Sequence, residues 1–309
     1  MNRIPYLTKG DRVALAAPAR KVNPEEMAPA IAELKRWGLE VVVPEGLYAA
    51  EGQLAGSDSH RAALLQGLLD DESIRAIFCC RGGYGTVRII DRLDFRHFAE
   101  HPKWIVGYSD ITVLHSHIHA TLGLPTLHAT MPINFQPHPT PATESLRRTL
   151  FGEKPDIEWS APKDFPLSTL HFPLTAPAVG GNLSILYSLL GSRSQVDTHG
   201  KILLIEDLDE YLYHIDRMMQ ALRRAGMLDG LAALVVGGLS DMHDNTVPWG
   251  QTAEEIVAEA VAGRDYPVVF GAPFGHLGDN NIALPMGTPL TLEATDSKKM
   301  SYLCTLICC

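Results

Sequence analysis

The sequence predicts an α/β protein, with an N-terminal parallel-sheet α/β domain and a smaller, β-rich C-terminal domain that also carries helices. Three observations predict it. Over the first 130 residues, short apolar runs alternate with stretches of helical period. From 131 to about 175 that period is interrupted by closely spaced prolines. Beyond it, strand-like runs return among many glycines. Alternating strands and helices favour a parallel sheet covered on both faces, with chemistry beyond the carboxyl ends of the strands.

The elements follow in order. Residues 12–17 (RVALAA) read as a strand, and Pro24–Gly38 as a helix with Met27, Ile31 and Leu34 on one stripe. Residues 39–43 (LEVVV) read as a strand, and Arg61–Leu69 as a helix. Ile74–Cys80 is a third strand ending at the glycine-rich RGGYG, and Val87–Leu93 has helical spacing. Trp104–Gly107 is a fourth strand, with a helix over Ile111–Leu122. The interval 131–175, with Pro132, Pro137, Pro139, Pro141, Pro155, Pro162, Pro166 and Pro173, reads as an interdomain linker between a domain at 1–130 and one at 176–309. In the second domain Gly180-Gly181-Asn182 opens a helix, Lys201–Ile205 and Leu231–Gly237 are strands, and Ile215–Ala225 and Ala253–Ala262 are helices. Pro267–Leu292 reads as β-rich.

Composition excludes several classes. The 309 residues are 46% hydrophobic and 20% charged, enough for a proper core. There are 26 Lys plus Arg against 36 Asp plus Glu, a net charge of −10. Nucleic acid is therefore not an expected partner, because that affinity needs clustered cations. No apolar run reaches the roughly 18 residues a membrane span needs, and Lys9, Asp11 and Arg12 stand where a signal peptide needs its apolar centre. Five cysteines, placed as Cys79-Cys80 and Cys304, Cys308 and Cys309, have neither zinc spacing nor the look of a disulfide framework. A cytoplasmic setting is expected.

Several places could carry chemistry. In KWIVGYSDIT a buried strand runs straight into Ser109 and a helix starts at once. A serine on such a turn has its hydroxyl pushed out of the sheet, and the following N–H can stabilise an oxyanion. The usual G-x-S-x-G is absent, and Ser109 or Asp110 could equally cap the helix. The glycines of RGGYG (81–85) let backbone approach a ligand, or simply make a tight turn. Glu206 ends the apolar strand KILLI and faces either a cleft or solvent. His276, in the loop GAPFGHLGDNN, is a candidate base. His115, His117 and His119 form H-x-H-x-H, but a helix puts His117 on another face, and a metal would need a further ligand such as His128. Cys79 and Cys80 could supply a thiol, although the preceding apolar AIF reads as a buried strand with inert sulfurs.

Taken together, GDRVALAAPA (11–20), LAGSDSHRAALLQ (54–66), AIFCCRGGYGTVRIID (76–91), WIVGYSDIT (104–112), GGNLSIL (180–186), LLIEDLDEYLYHIDRMMQALRRAGML (203–228) and FGAPFGHLGDNNIALPMG (270–287) resemble the LD-carboxypeptidases, or muramoyltetrapeptide carboxypeptidases, a family of serine peptidases. The resemblance implies an α/β domain carrying Ser109, a C-terminal domain carrying Glu206 and His276, and a Ser-His-Glu triad in the cleft between them. It further implies a homodimer and, as substrate, a murein tetrapeptide met in the cytoplasm during cell-wall recycling. On this reading the oxyanion donors are the N–H groups of Gly83 and Asp110. Arg81 is the candidate for the terminal carboxylate, and Asn182 a further substrate contact. Neither metal nor cofactor is expected. The alternatives are a relative of the microcin-C immunity peptidases that cleaves aminoacyl-adenylate analogues, a metal amidohydrolase using the three histidines, and a two-domain ligand-binding protein without activity. The tail SKKMSYLCTLICC departs from the family's usual ending.

Overall fold

A computed structural model of the chain describes residues 4–153, 156–162, 172–296 and 301–308. The first half contains β1 (Arg12–Ala16), α1 (Pro24–Arg36), β2 (Glu40–Val42), α2 (Asp58–Asp70), β3 (Ile74–Cys79), α3 (Arg96–Glu100), β4 (Trp104–Gly107), α4 (Thr112–Leu122), β5 (Thr126–His128) and α5 (Pro141–Leu150). The second contains β6 (Ile157–Pro162), β7 (Leu174–Asn182), α6 (Leu183–Ser188), β8 (Ile202–Leu208), α7 (Leu212–Arg224), β9 (Ala233–Ser240), α8 (Ala253–Ala260), β10 (Val268–Val269), β11 (Leu284–Met286), β12 (Pro289–Asp296) and β13 (Ser301–Cys308).

The first sheet runs β11-β5-β4-β3-β1-β2 and is parallel except at β11. Its central strands are apolar on both faces because both faces are covered. On one side Val13, Leu15, Phe78 and Val106 pack with Met27 and Leu34 of α1. On the other Ala14, Ile77 and Ile105 pack with Leu65 of α2 and Val113 and Leu114 of α4. Helix α1 starts at a reciprocal capping box between Asn23 and Glu26, with Pro24 in its first turn. The second sheet runs β10-β9-β8-β7-β12-β13-β6. Its β7–β10 part is parallel, whereas β12, β13 and β6 are antiparallel additions.

Three findings depart from the sequence reading. Val87–Leu93 is not an α-helix but two short 3-10 turns, Thr86–Arg88 and Ile90–Arg92. The β-branched Val87, Ile89 and Ile90 disfavour a longer helix there. The interval 131–175 is not simply a linker. Thr140 caps α5 with Pro141 in the first turn, and Leu146 and Leu150 enter the first core. Strand β6 then joins the second sheet, while 154–155 and 163–171 lie outside the described residues. Finally, the tail is a regular strand. Cys304, Leu306 and Cys308 alternate inward on β13 into the second core, which accounts for these two cysteines as packing groups; Cys309 lies outside the described residues.

The two halves are tied together. Strand β11 pairs antiparallel with β5, with Leu284 opposite His128. The Asn182 N–H, at the end of β7, donates to Thr112 Oγ1 at the start of α4 at 3.0 Å. The carboxyl ends of β4 and β7 therefore meet, and the site lies where they do. Among the described residues no helix is long and apolar enough to cross a membrane.

Candidate active site

Strand β4 delivers Ser109 into a sharp turn. Its φ is +62°, a left-handed conformation uncommon for a residue with a side chain. A 3-10 turn over Ser109–Ile111 leads straight into α4. The RGGYG loop lies on this turn. A methyl group on Gly82 would stand 3.0 Å from Ser109 Cβ, 3.1 Å from its Oγ and 3.4 Å from the Asp110 nitrogen, so only glycine lets the loop come this close. The loop is anchored from below. Asp110 is buried and its Oδ2 accepts the Thr86 N–H at 2.9 Å. Fully buried Arg61 donates to the Gly85 carbonyl at 2.9 Å and also reaches the Pro18 carbonyl and Asp58.

Glu206 and His276 come together across 70 residues of sequence. His276 Nδ1 donates to Glu206 Oε2 at 2.6 Å. Strand β8 carries an irregularity in register between Ile205 and Asp207, and Glu206 sits at it. A methyl on Gly275 would be 2.6 Å from Glu206 Cβ, so the loop before His276 wraps the carboxylate at backbone contact. The Gly275 N–H donates to buried Asn281 Oδ1 at 2.9 Å, which fixes that loop.

The electrostatics follow from burial. Glu206 is wholly inaccessible. Burial alone raises its carboxyl, but the imidazoles of His128 and His276 outweigh this and hold it below the usual carboxylate range. Burial lowers the His276 imidazole, and the Glu206 bond and charge more than offset that, so it titrates above its ordinary value. Asp207, next along the strand, is pushed up to about 7 by burial and then by the Glu206 charge. The two halves meet at Tyr108, whose ring lies 4.8 Å from that of His276. Tyr108 immediately precedes Ser109, so this contact brings the serine turn and the histidine loop to one place. With Nδ1 engaged by Glu206, Nε2 is the ring nitrogen left for a substrate or a hydroxyl.

The chain matches two family models: the LD-carboxypeptidase N-terminal domain over residues 13–129 and the LD-carboxypeptidase C-terminal domain over 175–292. It is 36% identical over 299 residues to a probable murein peptide carboxypeptidase of Bacillus subtilis, covering 94% of this chain and 91% of that one. The chain belongs to the LD-carboxypeptidase family. The murein tetrapeptide carboxypeptidase of Pseudomonas aeruginosa is 29% identical over 289 residues, 91% of this chain and 93% of its own. The solved muramoyltetrapeptide carboxypeptidase of Oxalobacter formigenes superposes with a TM-score of 0.83 at 26% identity, over 96% of this chain and 99% of that one. The microcin C7 self-immunity protein, solved with aspartyl sulfamoyl adenosine, shares the fold at a TM-score of 0.81 and 20% identity, over 97% and 96% of the two chains. The N-terminal LD-carboxypeptidase match contains Ser109 and the C-terminal one contains Glu206 and His276.

The remaining candidates sort by their surroundings. Gly83 follows Gly82 over the serine turn, and its own α-carbon faces the Arg20 side chain. Arg81 is half-buried, with Nη1 3.5 Å from Glu26 Oε1. Asn182 is engaged within the protein. It is buried, caps α6 by accepting the Ile185 N–H, and donates from Nδ2 to Asp207 Oδ1 at 2.9 Å. An asparagine that ends one strand and starts a helix is held by that capping geometry.

The three histidines of α4 do not converge. His115 Nε2 donates to the Gly107 carbonyl at 2.8 Å, and burial drives its imidazole down to about 3. His117 bonds Ser194 instead, at 2.8 Å. Cys79 and Cys80 are fully buried, and desolvation pushes both thiols well above their ordinary range. The structure also adds groups that sequence reasoning passed over. Gly82 packs against Ser109, Asn281 fixes the histidine loop, and His128 takes a new place. His128 is buried, with Nε2 4.0 Å from Glu206 Oε1. Gly82 and His128 act across distant segments, whereas Asn281 acts within its own loop, six residues from Gly275.

Proposed function

We propose that the chain is a serine carboxypeptidase that hydrolyses the L,D-peptide bond holding the terminal D-Ala of murein tetrapeptides. The observation that carries this reading is the 2.6 Å His276–Glu206 bond, with the His276 ring against Tyr108, the residue before a serine in a strained strand-to-helix turn. Family membership supports it, as do the relatives' activities on murein peptides.

Ser109 Oγ attacks the carbonyl, and His276 Nε2 takes its proton. The same imidazole returns the proton to the amine of departing D-alanine. Glu206 holds the ring in the Nδ1–H tautomer and stabilises the imidazolium. The N–H groups of Gly83 and Asp110 receive the oxyanion, each donor worth about 3–4 kcal/mol in the transition state. Water then cleaves the acyl-enzyme by the reverse proton path. Arg81 supplies the charge for the terminal carboxylate. Unlike an endopeptidase, an exopeptidase needs such a group at a closed end of its cleft.

The test is release of D-alanine from a defined tetrapeptide, compared with its C-terminal amide and with an aminoacyl sulfamoyl adenosine. Amidation is expected to lower kcat/KM by roughly ten- to a hundred-fold, the worth of one charge-assisted hydrogen bond. Equal cleavage of acid and amide, or turnover of the adenylate analogue alone, overturns the assignment.

A further inference from the structure

His97 and His101 lie one turn apart, on α3 and at its end, in the segment RHFAEH. Their rings lie against each other, centroids 4.8 Å apart and planes tilted by 37°. Glu72, from the connection between α2 and β3, reaches both. His97 Nε2 lies 3.4 Å and His101 Nε2 3.5 Å from the same Glu72 Oε1. All three ligand atoms lie within 4.8 Å of one another, and among the described residues no other such trio occurs.

These separations have a specific meaning. They are long for hydrogen bonds, which favour about 2.7–3.2 Å. The two Glu72–histidine separations match a tetrahedral zinc site, whose bonds of about 2.0–2.2 Å set its ligand atoms about 3.4 Å apart, and the two imidazoles lie close enough to close on one ion. Imidazole nitrogen and carboxylate oxygen are also the donor types that borderline ions such as Zn2+ prefer. Glu72 and His101 are exposed and His97 is half-buried, so an ion has a route in and water can complete its shell. The cleft beside them is lined by Glu100 as well as Arg75.

We propose that Glu72, His97 and His101 form a surface site for a divalent transition ion, of which Zn2+ is the reference case. Its position makes it structural rather than catalytic. Glu72 precedes β3 and α3 precedes β4, so the trio lies at the amino ends of these strands, whereas Ser109 follows the carboxyl end of β4. A four-residue strand at about 3.3 Å per residue separates the two ends by about 13 Å. The ion ties the short α3 to the α2–β3 connection, and it stabilises by mass action any state in which the three ligands are assembled.

The test is calorimetric titration of the full chain with Zn2+ in a non-chelating buffer, together with Co2+ absorption and thermal unfolding. One equivalent is expected to bind, Co2+ to give ligand-field bands of a low-coordinate site, and Tm to rise with Zn2+. The same equivalent is expected in His276→Ala, which separates this site from the active-site histidine. His101→Ala, Glu72→Gln and the double variant His97→Ala/His101→Ala are each expected to weaken binding by about ten-fold or more. Because Glu72 and His101 are exposed, the two single variants keep the test valid if the double variant folds poorly. Unchanged Zn2+ affinity in Glu72→Gln and His101→Ala overturns the proposal, as does loss of the equivalent in His276→Ala alone.

Discussion

Ser109 lies just beyond β4 of the first sheet, and Glu206 lies within β8 of the second, but the two sheets hold them by different means. The serine is fixed by backbone: a positive φ, a glycine loop at van der Waals contact, and anchors at Asp110 and Arg61 that hold that loop. The histidine is fixed by charge: a fully buried carboxylate bonded to its Nδ1 at 2.6 Å. A site built this way divides its tasks. On the proposed mechanism the first sheet sets geometry and the second sets protonation, and each half should fail differently when disturbed.

The largest effect is expected from removing the proposed nucleophile. Ser109→Ala should lower kcat by roughly 10⁵-fold or more while leaving the fold and peptide binding nearly intact, because the serine hydroxyl has no substitute. Turnover assays with calorimetric peptide binding check this; substantial D-alanine release from Ser109→Ala removes the triad. Next comes the charge half. Glu206→Gln should lower kcat by about 10⁴-fold, because an amide can settle the imidazole in the wrong tautomer and cannot balance an imidazolium. A loss below ten-fold would mean that His276 does not depend on this carboxylate. The geometric half is more graded. Gly82→Ala places a methyl 3.0–3.1 Å from the Ser109 side chain, so the turn must give by a few tenths of an ångström. A loss of about 10- to 100-fold in kcat is expected, with little change in Tm. An active Gly82→Ala would show that the loop yields freely and does not set the serine.

The same contrast explains what the sequence could reveal. The first sheet was legible because its strands are continuous apolar runs joined by local helices, so β1, β3 and β4 stand out. Ser109 was legible as a strand-to-helix serine for the same reason. Helix α5 was obscured by prolines, although the Thr140–Pro141 pair that opens it is a regular helix start. Strand β11 was illegible as part of the first sheet, since its pairing with β5 spans more than half the chain. Glu206 read as a strand-end carboxylate and His276 as a loop base candidate, 70 residues apart; only the family resemblance joined them. Asn182 was ambiguous because a glycine-flanked asparagine signals a cap and a ligand contact equally well, and here it caps α6. In RHFAEH the two histidines were readable as an i, i+4 pair, but nothing local points to Glu72.

The smallest effect is the most discriminating, because it reads protonation separately from geometry. The Glu206 charge raises His276 above its ordinary value of about 6.5 despite burial. A general base must be neutral to act, so kcat/KM should climb with pH through a single midpoint above that value. The linkage has the opposite sense for stability. A histidine whose folded pKa is raised contributes stability that is fully present below about pH 6.5 and lost as pH rises through the folded value. The enzyme should thus gain activity over the window in which the His276–Glu206 pair gives up stability. In Gly82→Ala the rate should fall while the midpoint stays in place, because no charge near His276 has changed. In Glu206→Gln the residual rate should show a midpoint moved down, because burial persists and the opposing carboxylate is gone. Residual D-alanine release measured from pH 5 to 9 for the three proteins decides it. A midpoint that moves in Gly82→Ala but not in Glu206→Gln would reverse the division between the two sheets.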